Sequence, residues 1–223
     1  MANLEKLKLI WKQADAVTFD VDSTLIQEEG IDELAKFCGK GEEVAALTKR
    51  AMQGHTTFRQ SLTNRLNIIN PSLTQIEQFL SSHPPKLSPG IEALVTALRA
   101  HKKQVFLISG GFRCLIAPVA TALAIPLENV FANRLKFYYT GEYAGFDENQ
   151  PTVENGGKAK VIQYLKNERG LKSVVHIGDG ATDLETAPVA DLFVGYGGVV
   201  VRESVQSGSP WYITSFDQLL NAL

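Results

Sequence analysis

Residues Ala16–Leu25 read AVTFDVDSTL, and the reading of that stretch decides the fold. A short run rich in Val and Phe has the length and composition of a buried strand. It ends in two aspartates, Asp20 and Asp22, separated by one valine and followed by Ser23 and Thr24. Ligands of open α/β sheets bind outside the carboxyl ends of the strands, so the position of these carboxylates matters as much as their charge. As plain turn and cap residues, Asp beside Ser and Thr would be ordinary.

Outward from this stretch the pattern recurs in QVFLIS (104–109), SVVHIG (173–178) and DLFVGY (191–196). Helical patterns separate the later runs, which predicts parallel strands of a Rossmann-like α/β sheet flanked by helices. Between them LKFYYTGEYAGF (135–146) forms two aromatic-rich segments around Thr140-Gly141, a β-hairpin signal. Helix starts are expected at Ser88-Pro89 and at the capping box Ser215–Gln218. Residues 26–82 differ in texture. Ile31, Leu34, Ala35 and Cys38 have helical spacing, as do Val44, Leu47 and Ala51, and Phe58, Leu62, Leu66 and Ile69; a further helix is expected over 71–80. The expectation is a four-helix-bundle cap, 26–82, inserted into a core of 1–25 plus 83–223.

The 223 residues carry a formal charge of −2, with 44% hydrophobic and 21% charged side chains. No basic excess of the kind nucleic-acid binders show is present. No apolar run approaches the roughly 18 residues of a membrane span, so neither nucleic acid nor membrane is an expected partner. The N-terminal MANLEKLKLIWKQ predicts a short amphipathic helix with Leu4, Leu7 and Trp11 on one face rather than a signal peptide. The two cysteines, Cys38 and Cys114, give no disulfide framework or zinc cluster and are expected as buried thiols, which favours a cytoplasmic location.

Three loops at the expected carboxyl edge carry the unusual residues: Asp20 and Asp22; Ser109, Gly110 and Gly111 of ISGGF; and Asp179 and Asp183 of IGDGATD. Four carboxylates at one edge raise each other's pKa unless a cation sits among them. Hard oxygen ligands with room for water suit Mg2+. The Ser-Gly-Gly turn is expected to leave amides free for phosphate oxygens. Lys158 opens a helical pattern, where a cation opposes the macrodipole unless an anion binds there. Each signal alone has a bland reading as a glycine-rich turn or a solvated lysine. Their shared edge is what points to phosphoryl transfer through a carboxylate nucleophile. A dinucleotide site is disfavoured, because Asp183 stands where the fingerprint wants its third glycine. NGGKAK likewise lacks the first glycine of a P-loop and has Ala159 in place of Ser or Thr.

DVDST, ISGG, a lysine at a helix start and GDGATD resemble the four motifs of the haloacid dehalogenase superfamily of aspartate-nucleophile phosphatases. Longer stretches, FDVDSTLIQEEGIDELAKFCG, VFLISGGF, VFANRLKFYYTGEYAGFDENQPT and HIGDGATD, are similar to its animal-type phosphoserine-hydrolysing branch, cap included. The resemblance implies hydrolysis of O-phospho-L-serine, the last step of serine synthesis. Asp20 would be the nucleophile and Asp22 the acid and then the base. Mg2+ would be held by Asp20, the backbone carbonyl of Asp22, and Asp179, with Asp183 and Thr182 in support. Ser109, Gly110, Gly111 and Lys158 would grip the phosphate, and Glu29, Met52, Arg65 and Arg202 would contribute to substrate binding. Gln53 departs from the glycine expected there. A homodimer is compatible with the pattern.

One cap residue can be read without the resemblance. Arg65 falls within about 20° of Phe58 on a helix whose apolar stripe also carries Leu62 and Ile69. A guanidinium there must snorkel, pair internally with a cap glutamate, or meet an anion. The four histidines have no expected role; His176, inside VVHIG, is read as a satisfied strand residue.

Overall fold

The computed structural model describes residues 2–51 and 57–223. Helix α1 (Ala2–Gln13) leads into β1 (Ala16–Phe19), and four helices follow: α2 (Gly30–Phe37), α3 (Gly41–Ala51), α4 (Phe58–Ile69) and α5 (Leu73–Ser82). The chain returns through α6 (Ile91–Ala100), β2 (Gln104–Phe112), α7 (Arg113–Ala122) and β3 (Val130–Asn133) to the hairpin β4 (Leu135–Phe137) and β5 (Tyr143–Phe146). It closes with α8 (Gly157–Glu168), β6 (Val174–Gly178), α9 (Ala181–Leu184), β7 (Leu192–Tyr196), α10 (Glu203–Gly208), β8 (Trp211–Ile213) and α11 (Asp217–Leu220).

Six parallel strands form the main sheet in the order β3-β2-β1-β6-β7-β8. Strand β1 is central, with β2 on one side and β6 on the other, so the chain's crossovers diverge at its carboxyl end, where a crevice opens in such sheets. Side chains alternate along each strand. Val17, Phe19, Val175 and Ile177 face the larger core, while Ala16 and Val174 pack with Val161, Ile162 and Leu165 of α8 on the other face. Thr18 and His176 fall in the second register, as does Asp20 by continuation, and this parity aims the first aspartate at the α8 side. The N-terminal helix is anchored by Trp11, whose Nε1 donates to the Leu219 carbonyl (3.1 Å); Leu7 is buried with it, but Leu4 is exposed.

All four expected cap helices are present. Thr57 with Gln60 and Ser72 with Gln75 start α4 and α5 as reciprocal capping boxes, and α5 begins at Leu73, later than Pro71. The two chain crossings into the cap run side by side: Ile26 bridges Leu87, Gln27 N–H donates to Lys86 O, and Ser88 N–H donates to Leu25 O. Three expectations need correction. Helix α6 starts at Ile91 behind Gly90, whose φ of +83° suits glycine, so Ser88 is not its cap. Cys38 and Cys114 are free and half-buried rather than fully buried. The Ser215–Gln218 box is only half formed: Gln218 Oε1 accepts from Ser215 N–H, but Ser215 Oγ accepts from Asp217 N–H rather than from Gln218, and α11 starts behind Phe216. No helix among the described residues is long and apolar enough to cross a membrane.

Candidate active site

The two aspartates that close β1 do not share partners. After Asp20 the backbone kinks through Val21–Leu25, with Ser23 at φ +52°, and Ile26 N–H reaches back to Val21 O (3.1 Å). The kink sends Asp20 Oδ1 to Lys158 Nζ (2.7 Å). Asp22 turns the other way: its Oδ1 accepts from Gly30 N–H (2.6 Å) and its Oδ2 accepts from Ser109 Oγ (3.3 Å). A Cβ at residue 111 would lie 2.7 Å from Asp22 Oδ2, so only glycine leaves that carboxyl its place. Withdrawal from water raises the Asp22 pKa, against the pull of Gly30 N–H and Lys158.

Lys158, in the first turn of α8, is buried between two carboxylates, with Asp183 Oδ1 also at 2.7 Å. Burial alone would lower its pKa, but Asp183 and Asp20 outweigh that and hold the ammonium charged. Burial would raise Asp183, yet Lys158 and His176 hold it low. Asp20 is pushed well up, first by burial and then by repulsion from Asp183, with Lys158 only partly offsetting them. Asp179 is also raised by burial and by Asp183, although its Oδ1 accepts from Thr24 Oγ1 (3.0 Å) and its Oδ2 from Arg202 Nε (2.9 Å).

This donor set fits a divalent cation. Asp20, Asp179 and Asp183 are buried, and each offers a carboxylate oxygen within 4.8 Å of the others. Lys158 and Arg202 offset only part of the charge carried by Asp20, Asp22, Asp179 and Asp183. Burial first, and then repulsion from Asp183, raises Asp20 and Asp179, and a hard cation would relieve that repulsion.

The cap roofs the cleft. Phe58, Leu62, Ile31, Glu29 and Arg65 line it opposite the carboxylates, and its volume is about 160 Å³. That is below the roughly 300–1,000 Å³ of drug-sized sites, so a metabolite of few heavy atoms is the scale of ligand. Glu29 Oε1 accepts from Ser23 Oγ (2.7 Å) and lies 3.4 Å from Arg202. Burial and then the charge of Asp22 push its pKa to about 7. Arg65 donates through Nε to Ser61 O (3.2 Å) and pairs with no carboxylate among the described residues. Its pKa is lowered by burial, with Asp32, Glu29 and Asp22 pulling the other way. Of the readings open for Arg65, the internal ion pair is not the one seen.

The sequence-predicted residues gather in one place: Asp20, Asp22, Glu29, Arg65, Gly110, Gly111, Lys158, Asp179, Thr182, Asp183 and Arg202 line the cleft, and Ser109 lies behind Asp22. Met52 and Gln53 lie outside the described residues. The Ser-Gly-Gly segment is not a free turn, because β2 stays extended through Phe112 and Gly111 N–H donates to Ser109 Oγ (2.9 Å). Sequence reasoning passed over Ser23, Thr24, Phe58 and His176. Ser23 and Thr24 were visible as the tail of DVDST; their hydrogen bonds to Glu29 and Asp179 were not.

A family model described as a haloacid dehalogenase-like hydrolase matches residues 14–191. The phosphoserine phosphatase of Bos taurus is 56% identical over 223 residues, covering 100% of this chain and 99% of the relative. That of Homo sapiens is 54% identical over the same span and shares. A solved structure of a phospho-aspartyl intermediate analogue of phosphoserine phosphatase superposes with a TM-score of 0.80 at 26% identity, covering 94% of this chain and 99% of that one. The chain belongs to the haloacid dehalogenase-like hydrolases.

Proposed function

We propose that this chain is a phosphoserine phosphatase, hydrolysing O-phospho-L-serine to L-serine and phosphate as the last step of serine biosynthesis, in the cytoplasm. The observation that carries the reading is the division of labour at the cleft. A buried aspartate paired to Lys158 stands on one side, and a second carboxyl whose oxygens accept from Gly30 N–H and Ser109 Oγ stands on the other. A guanidinium with no carboxylate partner among the described residues and a glutamate with a pKa of about 7 form the roof. The close likeness to curated phosphoserine phosphatases over the whole chain supports the same substrate.

In this reading Asp20 attacks phosphorus and becomes a phosphoaspartate, splitting hydrolysis into two easier steps. Lys158 and the Ser109–Gly111 segment hold the phosphoryl oxygens, with Thr182 at the rim. Asp22, whose pKa is raised by its withdrawal from water, gives a proton to the departing seryl oxygen. It then takes one from the water that cleaves the acyl phosphate. Asp20, the Asp22 carbonyl and Asp179 would hold Mg2+, and Asp183 would support them by fixing Lys158. When bound, the ion neutralises charge on the phosphoryl group. Arg65 meets the substrate carboxylate and Glu29 its ammonium, with Met52 and Arg202 completing the pocket. Residues 26–82 thus act as a specificity cap on the phosphatase core.

Phosphate release from a panel of small phosphomonoesters, with Mg2+ and with EDTA, tests the reading. EDTA-sensitive preference for L-phosphoserine is expected. Equal or better turnover of sugar phosphates would keep the chemistry of Asp20 and Asp22 and discard the assignment of the cap.

A further inference from the structure

The chemistry above leaves one titratable side chain at the site without a role. His176 lies in the middle of β6, fully buried, in register with Thr18 of β1. Its Nδ1 is 2.7 Å from Thr18 Oγ1 and its Nε2 is 2.7 Å from Asp183 Oδ1, with Phe193 stacked over the ring at 6.2 Å. A carboxylate only accepts, so Nε2 carries the hydrogen; in the neutral ring Nδ1 then accepts the Thr18 hydroxyl at 2.7 Å, the alternative acceptor of that hydroxyl, the Val175 carbonyl, lying farther off at 3.3 Å.

The carboxylate that His176 touches is the one that sets Lys158. Asp183 Oδ1 receives both Lys158 Nζ and His176 Nε2, each at 2.7 Å, while Oδ2 receives Gly180 N–H at 3.0 Å. Lys158 spans from Asp183 to Asp20. The chain of contacts Thr18–His176–Asp183–Lys158–Asp20 therefore leaves β1 and returns to it two residues later, on the same face of the strand. We infer that His176 is a positioning residue for phosphoryl transfer: by holding Asp183 Oδ1 it fixes where the Lys158 ammonium stands between Asp183 and the nucleophile. This rests on the phosphatase reading. Without the imidazole donor, Asp183 Oδ1 has only Lys158 to bond, and the ammonium is drawn from Asp20 and the phosphoryl site toward Asp183. A glutamine at 176 places an amide N–H about where Nε2 stands; a methionine fills similar space with no donor.

The test is steady-state kinetics of His176→Met and His176→Gln on phosphoserine, with imidazole 15N spectra of the unaltered protein. Expected are a fall of about tenfold in kcat for His176→Met, with KM within threefold because the cap contacts are untouched. His176→Gln should recover to within about threefold of the parent, and the imidazole should appear as the Nε2–H tautomer. A His176→Met enzyme with parental kcat, a His176→Gln variant no better than His176→Met, or an Nδ1–H tautomer would each overturn the inference. A merely structural histidine would lower Tm in both variants and leave kcat per folded molecule unchanged. If His176→Met does not fold, Thr18→Val takes its place: it deletes the hydroxyl that fixes the tautomer, and mixed tautomers with a severalfold lower kcat are expected. Mixed tautomers without loss of kcat would refute the role. A parent protein inactive on phosphoserine would sink the functional reading and still leave the imidazole spectrum to be read.

Discussion

Lys158 in the core and Arg65 in the cap are both cations drawn from water, and the protein treats them differently. Lys158 has two carboxylates at 2.7 Å, and one of these is itself gripped by His176 and a backbone amide. Arg65 has a single hydrogen bond, to a carbonyl of its own helix, and no carboxylate partner among the described residues. A charge left in that condition costs stability unless a ligand completes it. The core is thus organised before substrate arrives, as electrostatic catalysis requires. The cap is left incomplete, which under the proposed function serves selective binding: a site built to pair polar groups rejects ligands that lack them.

The largest way to break the comparison is at Asp20, the proposed nucleophile. Asp20→Asn keeps the shape of the core but removes the attacking oxygen and the charge opposite Lys158. Turnover should fall on the order of 10⁴-fold or more, while phosphoserine still binds through the cap, as calorimetry on the variant would register. An Asp20→Asn protein that turns over at near-parental rate would remove the basis for treating the core as the reacting half.

How much of this was legible in the sequence follows the same division. The core strands were readable because they are short Val- and Phe-rich runs with charged or glycine-rich ends. The edge strand β8, of three residues, is too short to carry a period of its own. Asp20, Asp22, Asp179, Asp183 and Lys158 were legible because each follows a strand or opens a helix, and topology alone brings such positions together. The Gly111 amide was misread because nothing local announces that β2 continues through the two glycines. His176 was read as a satisfied strand residue, and it is satisfied, but by Asp183. Strand pairing places it beside Thr18, and the α9 turn delivers Asp183; neither is encoded near residue 176. Arg65 stood out as a charge in an apolar stripe, although the stripe alone left its partner open.

Arg65→Ala attacks the cap half. It removes the guanidinium without touching the carboxylates below. KM for phosphoserine should rise roughly 10- to 100-fold, the range of a hydrogen-bonded charge, with kcat within a few-fold. Phosphoethanolamine, which has no carboxylate, sharpens the test: parent and variant should handle it alike. Equal losses on both substrates would mean that Arg65 supports the fold of the cap rather than reading the carboxylate.

Glu29 gives a smaller effect with a defined sign. Its pKa near 7 is raised by burial, so it is neutral below that pH and ionised above it. In the proposed reading the substrate ammonium pairs with the ionised form, so KM should fall as pH rises from 6 to 8, by up to about tenfold. The raised value also means that the folded protein loses some stability as pH climbs from the ordinary glutamate range through 7, since ionising Glu29 is harder in the folded state than in the unfolded one. Glu29→Gln run in parallel separates this from the phosphate's own titration, because only the parent should show the extra step. Identical KM profiles for the two would assign the ammonium elsewhere.

The smallest effect concerns how the two halves are held together. Arg59 at the start of α4 reaches Glu148 (2.7 Å) and Glu154 (2.8 Å) of the core, and Phe58 N–H donates to Asn155 Oδ1 (3.0 Å). These carboxylates lie in solvent, their side chains 70% and 46% exposed. Such pairs contribute about 0–1 kcal/mol and are screened by salt. Contacts of that strength can hold the cap over the cleft and still release it on every turnover, whereas the buried Lys158 ring could not be broken and remade so cheaply. Arg59→Ala should therefore change Tm by no more than a few degrees and kcat/KM by about twofold, and the difference from the parent should vanish at high ionic strength. A large, salt-insensitive loss would mean that the cap is fixed to the core as firmly as the core's own site is built.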